Sequence, residues 1–375
     1  MIEKKRVLDT FFELVSIRCS TLDEREIGDL LTARLKELGA AEIHEDNAGE
    51  ILGGNCGNII ANFKGTVKDA PVLMLTAHMD CVEPCANIKP VLKDGVIRSD
   101  GTTILGTDDK AGVAAILETL RCLKEGNISH GDLQVVFNVA EEGGVNGSQN
   151  IDQNLLHADF GYTLDTHGHP GTAAFKAPGK NQLEVRIQGK TAHAGIAPEA
   201  GHNAITAAGH VLTAVPQGRI DEETTCNVGK ITGGTATNVV AEFCTICFES
   251  RSRDKAKLDA ITQRIVDSVN TAIEGTGCTV DIAVKKDYDP YELSPDALPL
   301  RYLRKAAEKC GFPVHLEEAG GGSDANFYNS YNIPTAVLAV GMTDCHTKEE
   351  SILEQDLYDA AELTLALVQE VAAKH

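Results

Sequence analysis

Short, mainly apolar runs recur in the first half of the chain. The run at 72–75 leads directly into TAHMD at 76–80, the run at 132–140 ends in EEGG at 141–144, and a shorter one at 161–165 ends in Asp165. A short apolar run bounded by turn signals is typical of a strand buried on both faces of a parallel sheet. The carboxyl ends of such strands are where open α/β sheets place their ligands.

Between these runs, apolar residues recur at helical spacing. The spacing predicts helices over 4–16 and 20–39, and Ser20 or Thr21 is expected to cap the second helix. A further helix begins near Asp108 and Asp109 in GTDDKAG. Two adjacent carboxylates at a helix start could act only as caps that favour the helix dipole, so this pair alone does not establish a site.

The pattern changes after Gly171. QLEVRIQ at 182–188 alternates with period two, which predicts a half-exposed antiparallel sheet. The predicted elements follow the β-α-β-β-α-β order of the ferredoxin-like arrangement: strand 182–190, helix 202–215, strand 225–232, strand 237–250, helix 254–274 and strand 278–285. We therefore predict an α/β protein in which a domain at 177–288 is inserted between 1–176 and 289–375.

Composition limits the partners. The net charge is -21, from 34 basic and 55 acidic residues, which argues against nucleic acid or an anionic membrane as partner. No apolar run approaches the length of a membrane span. The 11 cysteines do not form a CxxC…CxxC zinc framework, and no signal peptide begins the chain, so reduced thiols in a cytoplasmic protein are expected.

Candidate metal ligands follow the predicted strands and the DDK turn. They are His78, Asp108, Glu142, Asp165 and His346, with Asp80 and Glu141 as carboxylates that are not ligands. Imidazole and carboxylate ligands without thiolates suit zinc, cobalt or manganese. Five ligands are too many for one catalytic zinc but suit two metals with a bridging carboxylate, which clamp a carbonyl oxygen and make hydroxide near neutral pH. A free glutamate would serve as general base, so the pattern predicts amide hydrolysis.

Seven motifs occur in one order over nearly the full length: TAHMD, GTDDKAG, AEEGG, YTLD, KTAHAG, GGGSDAN and the late His346. Together they resemble the two-zinc exopeptidase family that includes bacterial peptidase T, carboxypeptidase G, succinyl-diaminopimelate desuccinylase and the aminoacylases. The resemblance implies a zinc-binding mixed sheet flanked by helices, interrupted by a smaller lid domain through which these proteins usually dimerise. It also implies a short peptide as substrate and a homodimer as the assembly.

The resemblance further assigns roles around the metals. It pairs the ligands as His78 with Asp165 on one ion, Glu142 with His346 on the other, and Asp108 as the bridge. Asp109 is the less favoured bridge. Asp80 would orient His78, and Glu141 would be the general base.

Substrate contacts are implied for a second set: His193, Asn238, Arg251, Gly321, Gly322 and Ser323. His193 resembles the lid histidine that, in dimers, helps hold the scissile carbonyl across the subunit interface, and Arg253 is a rival to Arg251. The glycine turn before 324 could bind an anion or be only a turn. His167 and His169 are expected to be loop residues near the site.

Three functions remain open. The first is a peptidase T-like aminopeptidase acting on tripeptides; the second is a carboxypeptidase or N-acyl amino acid deacylase, because AHAGIAPEAGHNA at 192–204 resembles carboxypeptidase G more than peptidase T. The third, an inactive scaffold on the same fold, would lack ligands, and none is missing. Cys81 and Cys345 lack the His/Asn context of a thiol nucleophile, and GGGSDA lacks the GxSxG elbow of a serine hydrolase.

Overall fold

The computed structural model describes residues 1–373. These residues form two compact units: Met1–Phe175 with Glu292–Ala319 and the chain from Ser323 onward, and Lys176–Tyr291 with Gly320–Gly322. Within residues 1–373, none of the helices combines the length and the apolar character that a membrane span requires.

The strands are numbered in chain order. Their bounds are β1 Glu42–Glu45, β2 Ile59–Phe63, β3 Leu73–His78, β4 Val91–Lys93, β5 Val96–Arg98, β6 Leu133–Asn138, β7 Phe160–His167, β8 Thr172–Ala177, β9 Gly179–Gln188, β10 Gly218–Arg219, β11 Thr224–Gly233, β12 Phe243–Ser252, β13 Thr279–Tyr288, β14 Tyr291–Glu292, β15 His315–Glu318, β16 Thr335–Thr343 and β17 Ser351–Leu353.

The helices follow the same convention. Their bounds are α1 Lys4–Val15, α2 Arg25–Leu38, α3 Ala48–Leu52, α4 Thr107–Gly126, α5 Asn146–Gln149, α6 Ala204–Ala214, α7 Lys255–Ile273, α8 Leu298–Cys310, α9 Asp324–Ser330 and α10 Glu354–Val371. The predicted helix over 20–39 begins later than expected, at Arg25, and the prediction that Ser20 or Thr21 caps it is wrong: the N-cap residue is Glu24, and its side chain makes no capping hydrogen bond.

A mixed sheet runs through the first unit in the order β1-β2-β6-β3-β7-β16-β17-β5-β4. Its central strands β6, β3, β7 and β16 are parallel to one another, whereas β2 and β17 pair with this centre in the antiparallel direction. Every residue of β3 is buried, as is every residue of β6, because helices cover this part of the sheet. The mainly apolar runs in the sequence therefore correspond to the parallel centre, as predicted.

The second unit contains an antiparallel sheet with the order β10-β11-β12-β9-β13. Helices α6 and α7 pack on it, and Ile265 of α7 lies in one buried cluster with Val185 and Ile246 of the sheet. The element order is the predicted β-α-β-β-α-β. The predicted strand 237–250 begins only at Phe243, so Asn238 lies in the preceding loop. That this unit acts as a lid or dimerises stays a prediction.

Gly112 lets α4 approach the sheet closely. A Cβ atom at Gly112 would lie 2.5 Å from the carbonyl oxygen of Leu164 in β7 and 2.5 Å from Oδ1 of Asp109. Both are under van der Waals distance, and the Leu164 oxygen belongs to backbone that cannot rotate away. Glycine is therefore required here although it disfavours a helix.

Gly112→Ala is expected to lower the free energy of unfolding by about 1–3 kcal/mol, because overpacking outweighs the better helix propensity of alanine. The matched control is Gly209→Ala in α6, where a Cβ atom would meet open space. That change should raise the free energy of unfolding by up to about 1 kcal/mol. Denaturant titration followed by circular dichroism measures both. Equal effects of the two substitutions would contradict the steric explanation.

Candidate metal centre

The candidate ligands lie where the central strands of the first unit end. His78 is the last residue of β3, Glu141 and Glu142 follow β6, Asp165 lies in β7, and His346 follows β16. Because these strands are parallel, their carboxyl ends meet at one edge of the sheet, and side chains from distant positions in the chain converge there.

Asp108 lies between the two imidazoles. Its Oδ1 is 2.8 Å from Nε2 of His78, and its Oδ2 is 3.2 Å from Nε2 of His346. Oε2 of Glu142 is 2.9 Å from the same nitrogen of His346, and Oδ1 of Asp165 is 3.8 Å from Nε2 of His78. The structure thus brings all five sequence-predicted ligands together, with one carboxylate oriented toward both halves of the cluster.

Backbone geometry at the start of α4 separates the roles of the two adjacent aspartates. Asp108 and Asp109 both have non-helical dihedral angles, and the peptide bond between them is cis. Asp109 is buried, and its carboxylate accepts the N–H groups of His78 at 3.3 Å and Gly112 at 3.2 Å. Its oxygens are therefore engaged with backbone, whereas those of Asp108 face the imidazoles.

Asp80 contacts more of the site than the sequence predicted. Nδ1 of His78 is 3.4 Å from its carboxylate but 3.1 Å from its backbone oxygen. The carboxylate accepts the backbone N–H groups of Glu141 at 2.9 Å and Glu142 at 3.2 Å, and the hydroxyl of Thr21 at 2.7 Å. A single buried carboxylate therefore holds the end of β3 to the chain that follows β6.

Lys110 is a site residue that sequence reasoning missed. Its ammonium is fully buried and donates to the carbonyl of Met79 at 2.5 Å, with Sγ of Cys81 at 3.2 Å. The signal was present in the sequence, because Lys110 precedes AGVAAIL, a helix segment apolar on all sides that leaves no face for water. Lys110 fixes the turn after β3 to the start of α4. No comparable signal points to Thr21.

The electrostatics of the cluster are those of a cation site. Hydrogen bonds with Asp108 and Glu142 raise the pKa of His346 to about 10. Burial raises the pKa of Asp165 well above its ordinary value, and the charge of Asp108 raises it further. Burial also raises the pKa of Glu141 well above the usual range. In each case the raised pKa means that the carboxylates carry more negative charge than the imidazoles offset. A positive charge bound among them would therefore be favoured.

The donor set fits divalent transition metals. Oε1 of Glu142 is buried and has no hydrogen-bond partner, so it is available as a ligand. Ligand atoms of His78, Asp108 and Glu142 all lie within 4.8 Å of one another. Imidazole nitrogens mixed with carboxylate oxygens suit zinc, cobalt or manganese better than calcium or magnesium, which take oxygen ligands. The residues present therefore fit the predicted metals.

The predicted substrate residues fall in both units. His193, Asn238 and Arg251 belong to the second unit, as do Gly321 and Gly322. His193 and Asn238 are exposed on neighbouring loops, and the N–H of Ala194 donates to the carbonyl of Asn238 at 3.0 Å. The guanidinium of Arg251 donates to Glu249 at 3.0 and 3.2 Å. Their contact with substrate stays a prediction.

Ser323, in the first unit, has a local structural role. It forms the N-cap of α9 in a capping box, donating its N–H to Oδ1 of Asn326 at 3.0 Å. His167 was predicted to be a loop residue, but it is the last residue of β7, where Nε2 lies 3.8 Å from Glu317. His169 follows β7 and contacts Asp356 at 2.7 Å. The two histidines have partners of their own apart from the cluster.

A sheet edge that gathers imidazoles and carboxylates is typical of a metal-dependent enzyme. The sequence pattern of Peptidase family M20/M25/M40 matches residues 74–370, which include all the candidate ligands. The chain therefore belongs to this family and is a hydrolase of the metallopeptidase class.

Three full-length similarities accompany the family match. The chain is 40% identical to the protein YqjE of Bacillus subtilis (strain 168), over 99% of this chain and 100% of that one. It is similar to a tripeptidase from Staphylococcus aureus subsp. aureus Mu50, with a TM-score of 0.95, 36% identity and 100% coverage of both chains. It is also similar to aminopeptidase PepT from Bacillus cereus ATCC 10987, with a TM-score of 0.91 and 40% identity over 99% of this chain and 100% of that chain.

Proposed function

We propose that this protein is a tripeptide aminopeptidase, which releases the N-terminal residue of short peptides. The observation that carries the proposal is a complete cluster of His78, Asp108, Glu142, Asp165 and His346 in a chain that is similar over its full length to a tripeptidase. An inactive scaffold would not need a glutamate such as Glu141 beside the ligands, whereas hydrolysis needs a general base there.

The proposed cofactors are two divalent cations, zinc in the first place. His78 and Asp165 would hold one, Glu142 and His346 the other, and Asp108 both. When bound, such cations polarise the scissile carbonyl and lower the pKa of water.

The chain itself would supply the proton transfers and the alignment. Glu141 is proposed to accept the proton of the attacking water and to deliver it to the leaving amine. Asp80 fixes the backbone that carries Glu141, because its carboxylate accepts the N–H groups of Glu141 and Glu142. Misplacing Glu141 by about 1 Å would cost activity, since proton transfer needs hydrogen-bond distance.

Carboxypeptidase or deacylase activity is the second candidate, favoured by the resemblance of 192–204 to carboxypeptidase G. Such an enzyme needs a cation for the free carboxylate of its substrate. Arg251, the predicted contact, already forms two hydrogen bonds with Glu249, which neutralises much of its charge. With Arg251 paired in this way, such an enzyme would need its rival Arg253 or another cation for that carboxylate. Homodimerisation through the second unit and a cytoplasmic location stay predictions from the resemblance and the sequence.

Three trialanine substrates and N-acetylalanine separate the candidates. The trialanine substrates are the free peptide, its N-acetyl form and its C-terminal amide, and N-acetylalanine is the deacylase probe. Zinc-loaded protein should release alanine from the free peptide and from the amide, and should leave both acetylated compounds intact, because a free amine is required. Mass spectrometry identifies the bond cleaved in the amide and in the N-acetyl peptide, because cleavage from either end of these compounds gives products of different mass. Cleavage of the N-acetyl peptide from its carboxyl end, or of N-acetylalanine, would contradict the aminopeptidase assignment.

A further inference from the structure

Glu350 is a buried carboxylate that the mechanism above does not use. Only 1% of the residue is exposed. Its Oε2 accepts the backbone N–H groups of Leu105 at 2.8 Å and Gly106 at 2.9 Å, and its Oε1 accepts that of Asp108 at 3.2 Å. All three donors belong to the short segment that carries Asp108, so one side chain fixes the backbone on both sides of the start of α4.

The same residue closes the loop that carries His346. The loop joins β16 to β17, and at its base the hydroxyl of Thr343 lies 3.0 Å from the carbonyl oxygen and 2.8 Å from the hydroxyl of Ser351. The N–H of Glu350 donates to the carbonyl of Thr347 at 3.3 Å, which completes a turn directly after His346. Glu350 is therefore anchored at one end in the His346 loop and at the other in the Asp108 segment.

This arrangement connects two residues that must keep a fixed spacing. His346 has a backbone φ of +64°, a conformation that a non-glycine residue keeps only when its surroundings enforce it. Nε2 of His346 lies 3.2 Å from Oδ2 of Asp108. Hydrogen bonds from N–H groups to a carboxylate are among the stronger ones, and here three of them hold the two loops together.

We propose that Glu350 is a positioning residue of the metal centre, which sets the distance between Asp108 and His346 by tying their loops together. The inference rests on the proposed function, in which both residues are ligands. The competing explanation is purely structural: a carboxylate at the N-terminus of α4 favours the helix dipole and stabilises the fold without any effect on metal.

Glu350→Gln distinguishes the two explanations. The glutamine amide keeps one acceptor oxygen but turns an NH₂ group toward the N–H of Asp108 or toward those of Leu105 and Gly106, so part of the tie is lost. Outer residues that orient metal ligands typically change metal affinity 10- to 100-fold when substituted, and we expect the dissociation constant of Co²⁺ to rise by about that factor. The visible absorption of bound Co²⁺ should change as well, because it reports ligand geometry.

Two control variants accompany the test. Glu118→Gln removes another buried carboxylate, one in the middle of α4 that accepts from Arg6 and the N–H of Glu3. Glu349→Gln makes the same change at the exposed neighbour of Glu350. Each protein is stripped of metal and titrated with Co²⁺ in competition with a chromophoric chelator. Thermal unfolding of the metal-free form is recorded in parallel.

The expected result is weaker Co²⁺ binding and an altered spectrum for Glu350→Gln alone, with metal-free stability no lower than that of Glu118→Gln. Wild-type affinity and spectrum in Glu350→Gln would overturn the inference. An equal loss of affinity in Glu118→Gln, or failure of Glu350→Gln to fold without metal, would also overturn it, because either result means that Glu350 has a structural role only. Failure of the wild-type protein to bind Co²⁺ would instead overturn the proposed function.

Discussion

Glu141→Gln is expected to reduce kcat by about 10²- to 10⁴-fold on a tripeptide, the usual contribution of a general acid–base group. Glutamine has nearly the shape of glutamate but cannot take a proton from water and return it to an amine. The contact between the N–H of Glu141 and Asp80 involves backbone, so the substitution leaves it in place. KM should change little, because Glu141 acts on the reacting water and not on peptide binding.

The matched control for this prediction is Glu142→Gln, the same chemical change at the adjacent residue. Oε2 of Glu142 is 2.9 Å from His346, and Oε1 is buried without a hydrogen bond, so this variant should lose metal affinity as well as activity. Metal content after dialysis, measured by plasma mass spectrometry, separates the two. Full activity in metal-loaded Glu141→Gln, or metal loss equal to that of Glu142→Gln, would show that Glu141 is not the base.

The sequence predicted the sheet because its centre is parallel and buried on both faces. Such strands are mainly apolar, so β3 and β6 stand out as runs rich in apolar residues whose polar ends mark one edge. His78, Glu141 and Glu142 could be located from that pattern alone. Asp108 could not be separated from Asp109 by periodicity, since the distinction depends on non-helical backbone at the start of α4.

Residues that hold the ligands were harder to predict than the ligands. Asp80 was expected to orient His78, yet its carboxylate also accepts two N–H groups that follow β6, which are distant in sequence. Glu350 is similar, because its partners at 105–108 are known only once β17 has been placed in the sheet. A carboxylate that accepts backbone N–H groups can pair with almost any residue, so the sequence contains no particular residue type that marks its partner. Pattern reasoning therefore found the side chains that carry chemistry and missed many of those that fix their positions.

Removal of divalent metal is expected to abolish peptide hydrolysis completely. Dialysis against a chelator leaves Asp108, Glu142 and Asp165 close together without the cations that offset their charges, and nothing in the chain replaces the Lewis acid. Activity should return with Zn²⁺, Co²⁺ or Mn²⁺ but not with Ca²⁺ or Mg²⁺, because imidazoles contribute ligands. The assay is alanine release from trialanine, measured before and after each addition.

Stability gives the same prediction a readout that does not depend on turnover. A ligand that binds only the folded chain stabilises it by about 2.7 kcal/mol when its free concentration is 100 times Kd, so the metal-free protein should unfold at a lower temperature. Titration calorimetry should then return two metal ions per chain, since Asp108 faces both imidazoles and can serve one ion on each side. A chelated protein that keeps its activity would contradict the metal dependence itself. If activity returned with one ion per chain, Asp108 would be a ligand of that ion alone and would not bridge two. The second imidazole would then contact either the substrate or only Glu142.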